Sequence, residues 1–235
     1  MVQEKNKWIY LSYPLSKRTP AYGGGESLEI RQNKSLEKGD SCNTSNWRLS
    51  NHLGTHIDFP RHFVSHGKTS TDYSPEFWIF SLPFLCDISN VEPGLVIKPD
   101  MIDFSSIPEH IDILMIKTGF SIYREKEIYW EKNPGFSPGF ADVLRRNFPD
   151  IKIFGFDSIS LSSFANRATG REAHKAFLDN TRPILLLEDM DLSLINNEME
   201  IKQIIVSPLR VEDTNGAPCN VFASITRKVT LGKKK

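Results

Sequence analysis

Residues 51–63 read NHLGTHIDFPRHF, and how this stretch folds decides what the rest of the chain can be. On a helix, the HisxxxHis spacing of His52 and His56 would put both rings on one face. Gly54, the β-branched Thr55 and Ile57, and Pro60 argue against that helix. Read as extended chain, His52, Gly54, His56 and Asp58 share one face, while Leu53, Thr55, Ile57 and Phe59 take the other. A straight strand rising about 3.3 Å per residue would hold the two histidine Cα atoms about 13 Å apart, too far for their rings to meet at one ion. Gly54 resolves the conflict, because it accepts bent or positive-φ geometry. The expectation is therefore a kinked or bulged strand end with a side-chain-free gap beside it. Pro60 then ends regular pairing, and His62 follows at the exit.

Histidine concentrates here. The chain has six, and His52, His56, His62 and His66 fall within 15 residues, where an even spread would place fewer than one. Two imidazoles and a carboxylate suit zinc, manganese or iron(II) rather than the all-oxygen coordination of calcium. The local spacing fits a metal site and a hydrogen-bonded histidine cluster alike.

Outward from this stretch, β-rich runs recur at Trp8–Ser12, Ser27–Gln32, Ile79–Ile88, Ile113–Thr118, Ile151–Phe156, Ile184–Glu188, Glu200–Val206 and Val221–Thr226. Two helices interrupt them. Ser137 and Pro138 read as cap and first turn ahead of FADVLRRNF, and Arg171–Asn180 is a shorter helical stretch carrying His174. Many strands and few helices predict a mixed α/β or α+β domain around a large sheet. With no repeat or low-complexity linker, residues 1–235 read as one domain, with 1–7 and 229–235 as flexible tails.

Composition narrows the function. Lys plus Arg equals Asp plus Glu at 29 each, so there is no global field to hold a phosphate backbone or an anionic membrane surface. Nucleic acid and membrane are thus not expected partners. The start, MVQEKNKW, lacks the apolar segment of a signal peptide, and no run approaches the roughly 20 apolar residues of a membrane helix. Cys42, Cys86 and Cys219 are far apart and in no CxxC pair, so neither disulfide framework nor cysteine zinc site is expected, and a cytoplasmic location is.

The pattern HxGTHxDxPxHF, filled at every fixed position by residues 52–63, resembles the signature of the cyclase-like metal-dependent hydrolase family, which includes bacterial kynurenine formamidase and isatin hydrolase. The resemblance continues through LSYPL, TPAYGGG, ILMIKTGF, FGFDSIS, HKAFL, ILLLEDMDLS, VSPLR and NGAP. It implies a swivelling β/β/α fold around a large mixed sheet. It also implies that His52, His56 and Asp58 ligate one metal, that His174 ligates a second, and that Asp58 and Glu188 bridge the two. His62 matches the family's acid/base, and a homodimer is implied. One or two divalent ions, zinc or manganese, are expected per chain.

The chemistry is coherent: a carboxylate can bridge ions about 3.5–4 Å apart, water between them becomes hydroxide near neutral pH, and one ion polarises a carbonyl. An imidazole placed at His62 could move the proton from that water to a departing nitrogen. The expected activity is hydrolysis of a non-peptide C–N bond, a formamide or cyclic amide, in a small and aromatic molecule. The alternative is a cyclase, dehydratase or lactonase of a biosynthetic pathway, since a Lewis-acid site with one histidine serves both. The family's formamidases carry Trp-Pro-Gly-Asp near the N-terminus, where this chain has Tyr22-Gly23-Gly24-Gly25. That change points away from N-formylkynurenine itself and leaves Tyr22 as the residue to stack on a substrate ring. Asp157 is read as either a carboxylate orienting a ligand histidine or a strand-end hydrogen-bonding group. His66 and His110 are read as surface residues.

Overall fold

The computed structural model describes residues 7–228. In chain order its strands are β1 (Lys7–Tyr10), β2 (Glu29–Lys34), β3 (Thr44–Arg48), β4 (His56–Asp58), β5 (Ile79–Phe80), β6 (Pro83–Asp87), β7 (Val96–Ile97), β8 (Ile113–Lys117), β9 (Gly135–Phe136), β10 (Ile153–Phe156), β11 (Leu185–Glu188), β12 (Met199–Pro208) and β13 (Gly216–Arg227). The helices are α1 (Ile128–Glu131), α2 (Gly139–Asn147) and α3 (Arg167–Leu178), with short 3₁₀ turns between elements. Lys7, expected in a flexible tail, pairs instead with Ile225 as the first residue of β1. The remainder of the two expected tails lies outside the described residues.

The architecture is the expected mixed α/β one, built on a nine-stranded sheet that runs β5-β12-β13-β4-β11-β10-β8-β6, with β1 also on β13. Strands β6, β8, β10 and β11 are mutually parallel. From β4 onward every pairing is antiparallel. The central strands of the parallel half are buried along nearly their whole length, which is why ILMI, IFGF and LLLE read as unbroken apolar runs rather than alternating ones. Phe136, Phe140, Phe154, Phe156 and Phe177 interlock between this half and helices α2 and α3.

The expected Ile79–Ile88 strand divides into β5 and β6, which form opposite edges of the sheet. Only Ser81 and Leu82 join them, so the edges cannot be farther apart than that connection reaches, and the sheet curls until nearly closed. Asp112 fixes the join by accepting hydrogen bonds from the Ser81 and Leu82 amides at 2.7 and 3.2 Å. The exposed β2–β3 hairpin stands apart from the main sheet, and β3 had no apolar alternation to announce it. Helix α2 starts at Gly139, and Ser137 contributes its carbonyl to Phe140 N–H rather than a side-chain cap. Helix α3 starts four residues before the expected Arg171 and runs through Gly170. That glycine is a packing residue, because a Cβ there would collide with Ser162.

Two backbone bends aim the ends of β4 and β11. Gly54 has φ +70°, the expected kink, and a Cβ would come within 2.6 Å of Leu15 Cδ2. Asp189 follows Glu188 with φ +52°, unusual for a side-chain-bearing residue. Its buried carboxylate is gripped by Arg124 through Nε at 3.0 Å and a terminal nitrogen at 2.7 Å, and by the Tyr129 hydroxyl at 2.5 Å. Thr55 ties the two bends together: its hydroxyl donates to Asp189 O at 2.5 Å and accepts from Tyr13 N at 3.0 Å.

Gly54→Ala should lower folding stability by about 1–3 kcal/mol, from the left-handed backbone and the Leu15 contact together. Urea unfolding should show a lower midpoint at unchanged slope. Arg124→Met strands the buried Asp189 carboxylate and should cost more, about 3–5 kcal/mol, read by the same method.

Candidate metal centre

The register of the sheet assembles the site. His56 lies opposite Glu188 across the β4–β11 pair, and Asp58, two residues on, shares its face. The kink at Gly54 returns His52 to this face, so the His52 and His56 rings sit 5.2 Å apart instead of a straight strand's span. Helix α3 delivers His174 from the other side. Four approaches then join two imidazoles to two carboxylates: His56 Nε2 lies 3.5 Å from Asp58 Oδ1 and 3.5 Å from Glu188 Oε2, and His174 Nε2 lies 3.5 Å from Asp58 Oδ2 and 3.4 Å from Glu188 Oε1. Each carboxylate thus offers one oxygen to each histidine, the arrangement of a bridging ligand. His52 Nδ1 joins the His56 side, 2.8 Å from Asp58 Oδ1.

These separations fit an ion better than hydrogen bonding. At 3.4–3.5 Å the approaches of His56 and His174 are long for charged hydrogen bonds. Donors about 2.0–2.1 Å from a tetrahedral ion would stand about 3.3–3.4 Å apart. The remote nitrogen of each of these histidines rests on a protein oxygen at 2.8 Å: His52 Nε2 on Asn215 Oδ1, His56 Nδ1 on Gly54 O, and His174 Nδ1 on Gly170 O. Such outer partners fix ring orientation and tautomer in metal-ligating histidines. The donor atoms of His52, His56 and Asp58 lie within 4.8 Å of one another, as do those of Asp58, His62 and His174.

His62 behaves differently. It sits on a 3₁₀ turn, Pro60–His62, with its ring centroid 4.2 Å from that of His52 and 5.9 Å from that of His174. Neither of its nitrogens is hydrogen-bonded to a described protein group. Burial, aided by the charges of His52 and His174 and opposed by Asp58 and Glu188, pushes it down to about 4.

The carboxylates' demand for positive charge is visible in the other rings. Burial alone would keep His56 and His174 neutral, but the facing carboxylates of Asp58 and Glu188 raise them to about 9 and about 10. Burial would likewise protonate Asp58, yet the facing imidazoles, His52 first and then His174 and His56, hold its carboxyl well below the usual range.

All these groups open on one cavity of about 470 Å³, which Tyr22 also lines. Tyr22 is half-buried and packs edge-on against Phe164 at 5.5 Å. Asp157 is the strand-end group of the two roles considered: it accepts from Thr118 N, Thr118 Oγ1 and Gly119 N and touches no histidine. His66 and His110 are exposed, as expected, and His110 pairs with Asp150. Several working parts escaped the reading of the sequence. The Leu161 amide donates to Glu188 Oε1 at 2.8 Å, and the Phe63 ring stacks on His174 at 4.9 Å. Asn215 supports His52, and a Cβ at the adjacent Gly216 would strike that ring. Both residues belong to the NGAP stretch that carried the resemblance, but nothing there announced their place under His52.

The comparisons with known proteins bear on family and fold. The chain is 29% identical over 202 residues to an uncharacterized protein of Methanocaldococcus jannaschii, covering 86% of this chain and 91% of that one. It is 26% identical over 214 residues to a kynurenine formamidase of Bacillus cereus, covering 91% and 95%. Isatin hydrolase A from Labrenzia aggregata, solved bound to benzyl benzoate, has the same fold, with a TM-score of 0.77 at 18% identity over 95% of this chain and 94% of that one. Residues 9–163 match the family model described as putative cyclase, and with well over half its length inside that match the chain belongs to this family.

Proposed function

We propose that the chain is a metal-dependent hydrolase of a non-peptide C–N bond, a formamide or cyclic amide, in a small molecule bearing a ring. The observation that carries this reading is the division among the four histidines of the site. Three hold one nitrogen on a protein oxygen and turn the other toward Asp58 or Glu188, whereas His62 hydrogen-bonds to no described protein group and only brings a ring nitrogen within 4.8 Å of the Asp58 and His174 donor atoms. His52, His56, Asp58, His174 and Glu188 would hold the metal, with the two carboxylates shared between two positions. A divalent ion there supplies Lewis acidity toward a carbonyl oxygen and makes water nucleophilic near neutral pH.

His62 is the acid/base. Its unengaged ring nitrogens face the cavity, where one takes the proton of the attacking water and returns it to the departing nitrogen. Phe63 packs between His62 and His174, at 4.6 and 4.9 Å, and keeps bulk water from that side of the rings. Tyr22 lines the same cavity and contacts the substrate. The kynurenine formamidase and the isatin hydrolase among the similar proteins support the choice of C–N bond. The family description, putative cyclase, favours ring closure, water loss or lactone opening as a second reading.

The test is a panel of aryl formamides, isatin-type lactams and lactones assayed with metal-loaded protein. At least one amide should be cleaved, and chelation should abolish the activity until zinc or manganese is restored. His62→Ala should reduce kcat by about 10²–10⁴-fold while metal content, read by elemental analysis, stays unchanged. Loss of metal in that variant would make His62 a ligand instead. Cleavage of lactones alone would favour the second reading, and no turnover anywhere in the panel would reject the hydrolase.

Metal stoichiometry is a separate check. The sharing of Asp58 and Glu188 between His56 and His174 predicts two ions per chain, and His174→Ala should retain one. An unchanged ion count in His174→Ala would refute the two-position reading.

A further inference from the structure

Helix α3 brings more than His174 to the cavity. Arg167, Arg171 and His174 follow one another at intervals of four and three residues, one face of a helix, and all three line the same space. Among the described residues neither guanidinium is hydrogen-bonded or paired with a carboxylate. The one close partner of Arg167 is the Phe164 ring, 5.1 Å away, which in turn packs against Tyr22. Two cations in the first half of a helix whose first turn has no acidic residue also work against the helix dipole. Both arginines are solvent-exposed at the edge of this cavity, so their guanidinium groups are open to an incoming ligand.

Tyr22 adds an independent sign. Its hydroxyl oxygen is buried and has no hydrogen-bond partner, and the residue is one of those that line the same cavity. Buried polar atoms are rarely left unmatched, and an orphaned hydroxyl beside two unpaired guanidinium groups is a donor set lacking its acceptor.

We propose that Arg167 and Arg171, with the Tyr22 hydroxyl as a third donor, form a subsite for a carboxylate carried by the substrate. The substrate class is then a carboxylate-bearing aryl amide rather than a neutral one. The planar forks of two arginines match a carboxylate, and in a chain of zero net charge such a local pair selects for an anion where the global field does not. The word substrate rests on the hydrolase reading; the anion subsite does not.

The experiment has two arms on metal-loaded protein. In the first, kcat/KM is compared for N-formylanthranilate and for formanilide, which lacks the carboxylate. The wild-type ratio should favour the anion by about tenfold or more, and Arg167→Met/Arg171→Met should erase that preference, chiefly through KM. Arg171→Lys should fall between, keeping the charge without the fork. In the second arm, benzoate binding is measured by calorimetry. The double substitution should weaken it about tenfold or more, and added salt should weaken it more steeply in wild type than in the double variant. Hydrolysis of both formamides with a ratio near one, or a ratio the double variant leaves unchanged, overturns the subsite and leaves the hydrolase standing. No hydrolysis of either, together with arginine-dependent benzoate binding, does the reverse. Benzoate binding that ignores both arginines overturns the subsite whatever the turnover. Thermal melting and metal content of each variant confirm that fold and metal centre are intact.

Discussion

Asp58 and Glu188 are buried side by side, at 1% and 3% exposure, on two strands that meet in register. Taking an ionised carboxylate out of water costs several kcal/mol unless positive charge or hydrogen bonds replace the lost hydration. Much of the surrounding structure answers that requirement. The Leu161 amide serves one Glu188 oxygen, and His52, His56 and His174 crowd the remaining lone pairs. The bends at Gly54 and Asp189 bring these groups to one place, and Arg124 with Thr55 keeps the second bend from relaxing.

The part of this design carried by short-range rules could be read from the chain. A period-two face through His52, His56 and Asp58 needs a break to become concave, and a left-handed bend has a residue signature, so Gly54 announced itself. Glu188 did not. Its place opposite His56 is set by a pairing between strands some 130 residues apart, and nothing in LLLEDMD specifies that partner. Only resemblance to relatives pointed to it and to His174. The place of Gly170 inside α3 was hidden for a related reason: the Ser162 contact that demands it is tertiary. The division of Ile79–Ile88 between two edges was hidden because a closed sheet and an open one share the same strand pattern.

Charge is distributed along the cavity in a way the neutral composition conceals. The floor holds the two carboxylates and their imidazoles, and α3 sets Arg167 and Arg171 near the mouth. Divalent ions on the floor would outweigh the carboxylates and turn the whole space electropositive. A carbonyl oxygen gathering negative charge is favoured in such a field, and so is any anionic group that enters with it.

The donors come from four separate parts of the chain: the bend at 52–58, α3, the end of β11 and, through Asn215, the turn before β13. The unfolded chain scatters them, so an ion that fits this site belongs to the native state alone. Mass action then links metal supply to the lifetime of the protein. A free ion at a hundredfold excess over its dissociation constant adds about 2.7 kcal/mol to native stability, a sizeable share of the roughly 5–15 kcal/mol typical of a folded protein. The same centre that equips the chain for chemistry would make its abundance a readout of the metal available to it.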